Sequence, residues 1–163
     1  MCQYSFHDRL SVTQYLILSD RITMVHWFKK YTISEIDWII KDTMMEVLEM
    51  ELVEIGENTV SGRMPIGPKT VQTLKLLHGG ASVALAETIG SVASFLIIDP
   101  EQFYCVGQAI TANHLRSGTK GYANAIAKPI RIGRTSHVWD IDITDDEGVL
   151  LCVCRLTMAI LKK

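Results

Sequence analysis

Apolar residues recur along this chain in two different registers. From Ala81 to Ile98 they run almost unbroken, with Val83, Ala84, Leu85, Ala86, Ile89, Val92, Ala93, Phe95 and Leu96 around Glu87, the only formally charged residue of the stretch. A helix over this run is apolar on nearly every side, which predicts burial. Elsewhere apolar positions alternate. In Ser136 to Thr144, His137, Trp139, Ile141 and Ile143 share one face and Asp140 and Asp142 the other, as in a half-buried antiparallel strand. Similar runs cover Phe103 to Leu115, Tyr122 to Ile132 and Val149 to Leu161, separated by Gly118, Gly121, Gly133 and the hairpin signal Asp145-Asp146-Glu147-Gly148. Before the helix, Leu48 to Ile55 and Thr59 to Met64 flank the turn Gly56-Glu57-Asn58. Residues 65–77, with Pro65, Gly67 and Pro68, read as a loop feeding the helix.

Two strands, one long helix and then four strands predict an α+β domain, an antiparallel sheet wrapped around a long central helix. Residues 1–23 read apart from the rest: Leu10 to Leu18 can form a short helix, and Met24 offers a second plausible beginning. The expected organisation is an N-terminal extension over 1–23, outside the core, and one domain over 24–163. Ser34 resembles a helix N-cap, with Glu35 and Asp37 in the first turn and Ile36, Trp38, Ile39 and Ile40 following.

Composition narrows the function classes. With 163 residues, 48% hydrophobic and 21% charged, the chain has the apolar mass for its own core. A net charge of -2 gives no basic stripe for nucleic acid, so an anionic partner is expected to be small. Cys2, Cys105, Cys152 and Cys154 lack the paired spacing of a zinc site and read as reduced, small hydrophobes, so no metal is expected. Ala81 to Ile98 approaches the length of a membrane span, but Glu87, Gly90 and the hydroxyls of Ser82, Thr88, Ser91 and Ser94 favour a helix buried in protein. No secretory signal opens the sequence, so the default location is cytoplasmic.

The candidate chemistry sits on the helix and the loop before it. His78 stands where loop becomes helix, and Gly79 and Gly80 leave the backbone uncovered, so their N–H groups can meet a ligand oxygen where the helix dipole favours negative charge. That is the makings of an oxyanion hole. Glu87 offers a carboxylate able to attack a carbonyl or deprotonate water, with Ser91 one turn on. The two parts lie about two and a half turns apart and cannot meet within one helix; a facing helix from a second subunit can close the site, which makes a dimer mechanistically attractive. On spacing alone, Glu87 reads equally as a structural hydrogen-bonding group and His78 as a plain N-cap, and function stays open.

The run Leu76-Leu77-His78-Gly79-Gly80-Ala81-Ser82-Val83-Ala84-Leu85-Ala86-Glu87-Thr88-Ile89-Gly90-Ser91 resembles the signature of the hotdog-fold acyl-CoA thioesterases of the PaaI-like group. Ala112-Asn113-His114-Leu115-Arg116-Ser117, Lys128-Pro129, Val138-Trp139-Asp140-Ile141 and Arg155-Leu156-Thr157 extend the similarity over roughly residues 24–161. The pattern is especially similar to members acting on 1,4-dihydroxy-2-naphthoyl-CoA and on aroyl groups misloaded on the enterobactin carrier protein. The resemblance implies hydrolysis of acyl-CoA thioesters, aromatic ones foremost, with acyl-carrier protein as a further carrier and no cofactor, since CoA is part of the substrate. It implies Glu87 as nucleophile or base, the Gly79 N–H as carbonyl donor, His78 as the residue orienting the loop, Gln72 as a hydrogen-bond donor to the reacting group or water, and Ser91 as support for the distal end. His114, Arg116 and Ser117 resemble the segment near the CoA nucleotide and phosphates, where the guanidinium fork of Arg suits phosphate. Gln72 and His78 would come from one subunit and Glu87 from its partner, in a homodimer or a tetramer made of two dimers. Where close relatives tend to carry Pro-Phe-Gly after the glutamine, this chain has Thr73-Leu74-Lys75, which leaves the acyl preference open. The competing readings are a hotdog-fold enoyl-thioester hydratase or dehydratase, and a non-catalytic acyl-CoA-binding protein.

Overall fold

The computed structural model describes residues 24–163, so the short helix expected over Leu10 to Leu18 lies outside the described residues. Two strands, β1 (Glu51–Ile55) and β2 (Val60–Pro65), precede the long helix α3 (Gly79–Phe95), and four strands follow: β3 (Phe103–His114), β4 (Tyr122–Ile132), β5 (Ser136–Thr144) and β6 (Leu150–Lys162). The sheet runs β1-β2-β4-β5-β6-β3, every neighbouring pair antiparallel. Helix α3 touches all of β2 to β6, which places it in the concavity of one curved sheet. This is the architecture predicted from the element order.

The strand predicted with an alternating face shows the principle at work. His137, Trp139, Ile141 and Ile143 are all buried, while Asp140 and Asp142 face outward and pair with Arg155 and Lys128. Trp139 is fully buried, and its Nε1–H donates to Ser94 Oγ of α3 at 2.8 Å, a polar tie between sheet and helix inside the core. Pro129 lies in β4 beyond Ala127, the last residue paired with β2, so only β5 flanks it there, and the register with β5 shifts between Pro129 and Arg131 as a bulge. A second register shift interrupts β3 between Gly107 and Ala109.

The expected first helix is shorter and starts earlier than its sequence suggested. The cap is Thr32, not Ser34: Glu35 Oε2 accepts from the Thr32 N–H at 2.7 Å and from its hydroxyl at 2.8 Å, so the box closes two residues upstream. One α turn, α1 (Ile33–Ile36), passes into a 3₁₀ turn (Asp37–Ile39), and a further turn, α2 (Met44–Val47), is capped by Thr43 Oγ1, which accepts from the Met45 N–H. Leu48 belongs to the end of α2 rather than to β1, since Glu49 adopts φ +56° and turns the chain there. Trp38 packs edge-on against Phe95 with ring centroids 6.0 Å apart, which pins this segment beside the helix.

Candidate active site

The loop before α3 is a built scaffold. Thr70, 2% exposed, donates its hydroxyl to Pro65 O at 2.7 Å and accepts from the Gly67 N–H at 3.0 Å, while its carbonyl accepts from the His78 N–H at 2.8 Å. Val71 bridges Leu77, and between them Gln72 and Leu76 close a tight turn in which Lys75 takes φ +63°. The Gln72 side-chain oxygen turns back onto this loop, accepting from the Leu74 N–H and the Thr73 hydroxyl.

His78 is the N-cap of α3. Its Nδ1 accepts from the Gly80 N–H at 2.8 Å, and its carbonyl receives the N–H groups of Ala81 and Ser82. Of the first four helix amides, only that of Gly79 is left without a hydrogen bond among the described residues. The expectation of two available glycine donors is therefore corrected to one, because Gly80 is committed to the cap. A Cβ at Gly79 would stand 2.8 Å from His114 Nε2, so the β3 imidazole lies directly against the helix start.

The helix is buried on three sides rather than all round. Ser82, Leu85, Ala86, Ile89, Val92 and Ala93 are buried, whereas Ala84, Glu87, Thr88 and Ser91 form a half-exposed stripe. This stripe lines a cleft of about 400 Å³ whose opposite wall is Ile39, Thr43, Met44 and Met45. Glu87 stands in the cleft with no ion pair or hydrogen bond among the described residues. Its carboxylate lies over Gly107 of β3, so closely that a Cβ on that glycine would fall inside contact distance of Oε1. Ser91 Oγ–H reaches Met158 Sδ at 3.6 Å on the sheet side of the same cleft.

The predicted residues thus form two groups. His78, Gly79 and His114 gather at the helix start, and Glu87 and Ser91 in the cleft; eight residues of helix put these groups about 12 Å apart along the axis. Arg116 and Ser117 lie past the end of β3, both exposed, Ser117 lining a shallow basin with Lys120 and the Asp145–Glu147 turn. Sequence reasoning missed Gly107 and the cleft wall of Ile39, Met44 and Met45; the two methionines in succession were the available signal for an adaptable apolar wall. Burial pushes the Cys105 thiol up to about 11 and the Cys154 thiol up to about 12, so both are packing groups at neutral pH. Among the described residues no cluster of three His, Cys, Asp or Glu is placed to hold a metal, and no helix is long and apolar enough to cross a membrane.

Residues 74–152 match the family model described as the thioesterase superfamily. The chain is 42% identical over 135 residues to the 1,4-dihydroxy-2-naphthoyl-CoA hydrolase of Escherichia coli strain K12, covering 83% of this chain and 98% of that protein. The chain belongs to the thioesterase superfamily. Solved thioesterases share its fold: one from Pseudomonas aeruginosa carrying a glutamine-to-alanine substitution has a TM-score of 0.82 at 39% identity, covering 84% of this chain and 99% of that one. A second, from Haemophilus influenzae, has a TM-score of 0.80 at 40% identity over 83% and 94% of the two chains. The helix-wrapped sheet is accordingly the hotdog fold of a thioester hydrolase.

Proposed function

We propose that this thioesterase hydrolyses acyl-CoA thioesters, aromatic ones foremost, at sites completed by two copies of the chain. The observation that carries the reading is Glu87: a carboxylate in an apolar-walled cleft, unclaimed by any partner among the described residues, on the same helix as the Gly79 amide, which none of them claims either. A structural glutamate at such a position would carry hydrogen bonds to its surroundings. The Gly79 N–H donates to the thioester carbonyl oxygen and stabilises the charge that develops there. Glu87 of the other copy attacks the carbonyl carbon, or takes a proton from water that attacks it; in both routes the carbon–sulfur bond breaks and CoA departs as thiolate. The attack route ends with water cleaving the acyl–glutamyl anhydride and restoring the carboxylate.

The other assignments fit around this pair. His78 holds the loop by capping the helix, Gln72 has its side-chain NH₂ left to donate to substrate or water, and Ser91 closes the inner end of the cleft. Arg116, exposed beyond β3, donates to a CoA phosphate in this reading. A 400 Å³ cleft walled by Ile39, Met44 and Met45 accommodates a planar ring, and the methionines adapt to its outline. Two-copy assembly is supported by β3, a twelve-residue edge strand with Tyr104 and Val106 exposed, the kind of edge that pairs with a second strand. The test is thiol release from aromatic, short-chain and long-chain acyl-CoAs. Glu87→Gln is expected to lower kcat by about 100-fold or more, a drop of the size seen when a key electrostatic group is removed; a variant keeping most of its turnover would remove the acid from the mechanism.

A further inference from the structure

Gly107 is out of place by ordinary strand preferences. Glycine weakens a strand because it has no side chain to pack, and it is tolerated where a positive φ or a close approach demands it. Gly107 has no positive φ; among the described residues only Gly121 and Gly148 of the glycines do. What it has is a neighbour, the Glu87 carboxylate, whose Oε1 occupies the space a Cβ would fill and whose Cδ lies 3.3 Å from that point.

The register of β3 explains how this seat shares a face with the helix start. Cys105 and Gly107 face the helix, since the Cys105 thiol reaches Ser91 O and Gly107 faces Glu87. Ile110 and Ala112 pack on the core and His114 meets Gly79, so they face the helix too. Gly107 and His114 are seven apart, an odd number that puts two residues on opposite faces of an unbroken strand. The register runs Gly107 to Met158 and then Ala109 to Thr157, leaving Gln108 as one inserted residue that reverses the alternation.

We infer that Gly107 is the positioning residue that seats the Glu87 carboxylate, and that the Gln108 bulge brings this seat and His114 onto one face of the sheet. The inference rests on the catalytic reading of Glu87 given above. Because the carboxylate has no hydrogen-bond partner among the described residues, packing alone fixes it, and the glycine is the floor of that packing. A methyl group at 107 displaces the carboxylate by about 1 Å, the distance needed to restore ordinary contact. Misplacement on this scale costs catalysis on the order of 100-fold.

The experiment is a cycle of Gly107→Ala and Glu87→Asp, singly and together, in the full chain. Thiol release from an aroyl-CoA is measured alongside thermal melting and size-exclusion chromatography. Gly107→Ala is expected to melt and assemble like the parent while kcat falls about 10- to 100-fold and KM stays within about 3-fold. In the Glu87→Asp background the shorter side chain withdraws the carboxylate from the added methyl, and the same substitution then costs less than about 3-fold. Parent-like kcat in Gly107→Ala, equal losses in both backgrounds, or loss of folding or assembly would each overturn the inference. Glu87→Gln separates the two levels. Full turnover in that variant removes the reading of the acid itself, whereas an inactive Glu87→Gln beside additive Gly107→Ala and Glu87→Asp losses removes only the seat.

Discussion

Acidification should destabilise this fold through one histidine. His137 lies on β5 between Ile132 of β4 and Met158 of β6, is 2% exposed, and has no hydrogen-bond partner at Nδ1 among the described residues. Burial disfavours the imidazolium and lowers its pKa from 6.5 to about 4, with the Gly133 backbone pulling weakly the other way. Between those two values the unfolded chain binds a proton that the folded chain refuses, so stability rises with pH across this window and is intact above 6.5. The linkage amounts to about 2 kcal/mol lost at pH 5 and about 3 kcal/mol at pH 4, relative to neutral pH. Urea denaturation of the parent and of His137→Leu, repeated at pH 7, 6, 5 and 4, isolates this contribution, because the exposed carboxylates titrate alike in both proteins. The variant should hold its stability toward pH 4 better by about that amount. Parallel pH profiles for the two proteins would refute the claim that His137 folds neutral.

Two further outcomes follow from the packing. Ser94→Ala strands the buried Trp139 Nε1–H and should cost about 1–3 kcal/mol in chemical denaturation at neutral pH; a loss under about 0.5 kcal/mol would show the tie to be dispensable. Val106→Lys places a charge on the exposed edge strand and should shift the chain toward monomer in sedimentation while lowering thiol release, and an active monomer would contradict the shared site.

Fold and site were legible to different depths. The alternation at His137, Trp139, Ile141 and Ile143 and the apolar run around Glu87 carried the sheet and the helix, because burial imposes a period of two on strands and an unbroken apolar run on a central helix. The cap at Thr32 escaped because two positions two residues apart, Thr32 and Ser34, offered a side-chain oxygen, and only the reach of Glu35 decides between them. Availability of Gly80 was misjudged for a similar reason: whether an N–H is free depends on the rotamer of its neighbour His78, which composition does not encode. Gly107 was invisible because its meaning lies across the fold, in a carboxylate twenty residues away in the sequence. The odd spacing from Gly107 to His114 becomes informative only once both are known to face the helix.

The half-exposed stripe of α3 ties stability to chemistry. Ala84, Glu87, Thr88 and Ser91 recur at three- and four-residue steps, so they are one helical face, and it holds the only formally charged residue of an otherwise apolar helix. Small residues allow close approach, and polar ones lower the cost of exposure before a partner arrives. A two-fold axis beside this face would oppose two antiparallel helices, setting the Gly79 end of each near Glu87 of the other and making two equal sites at once. The 12 Å that separates donor from acid within one helix is then the distance that the symmetry spans. Under this arrangement a dimer does more than bury the β3 edge: without it each protomer holds two half-sites and no complete one.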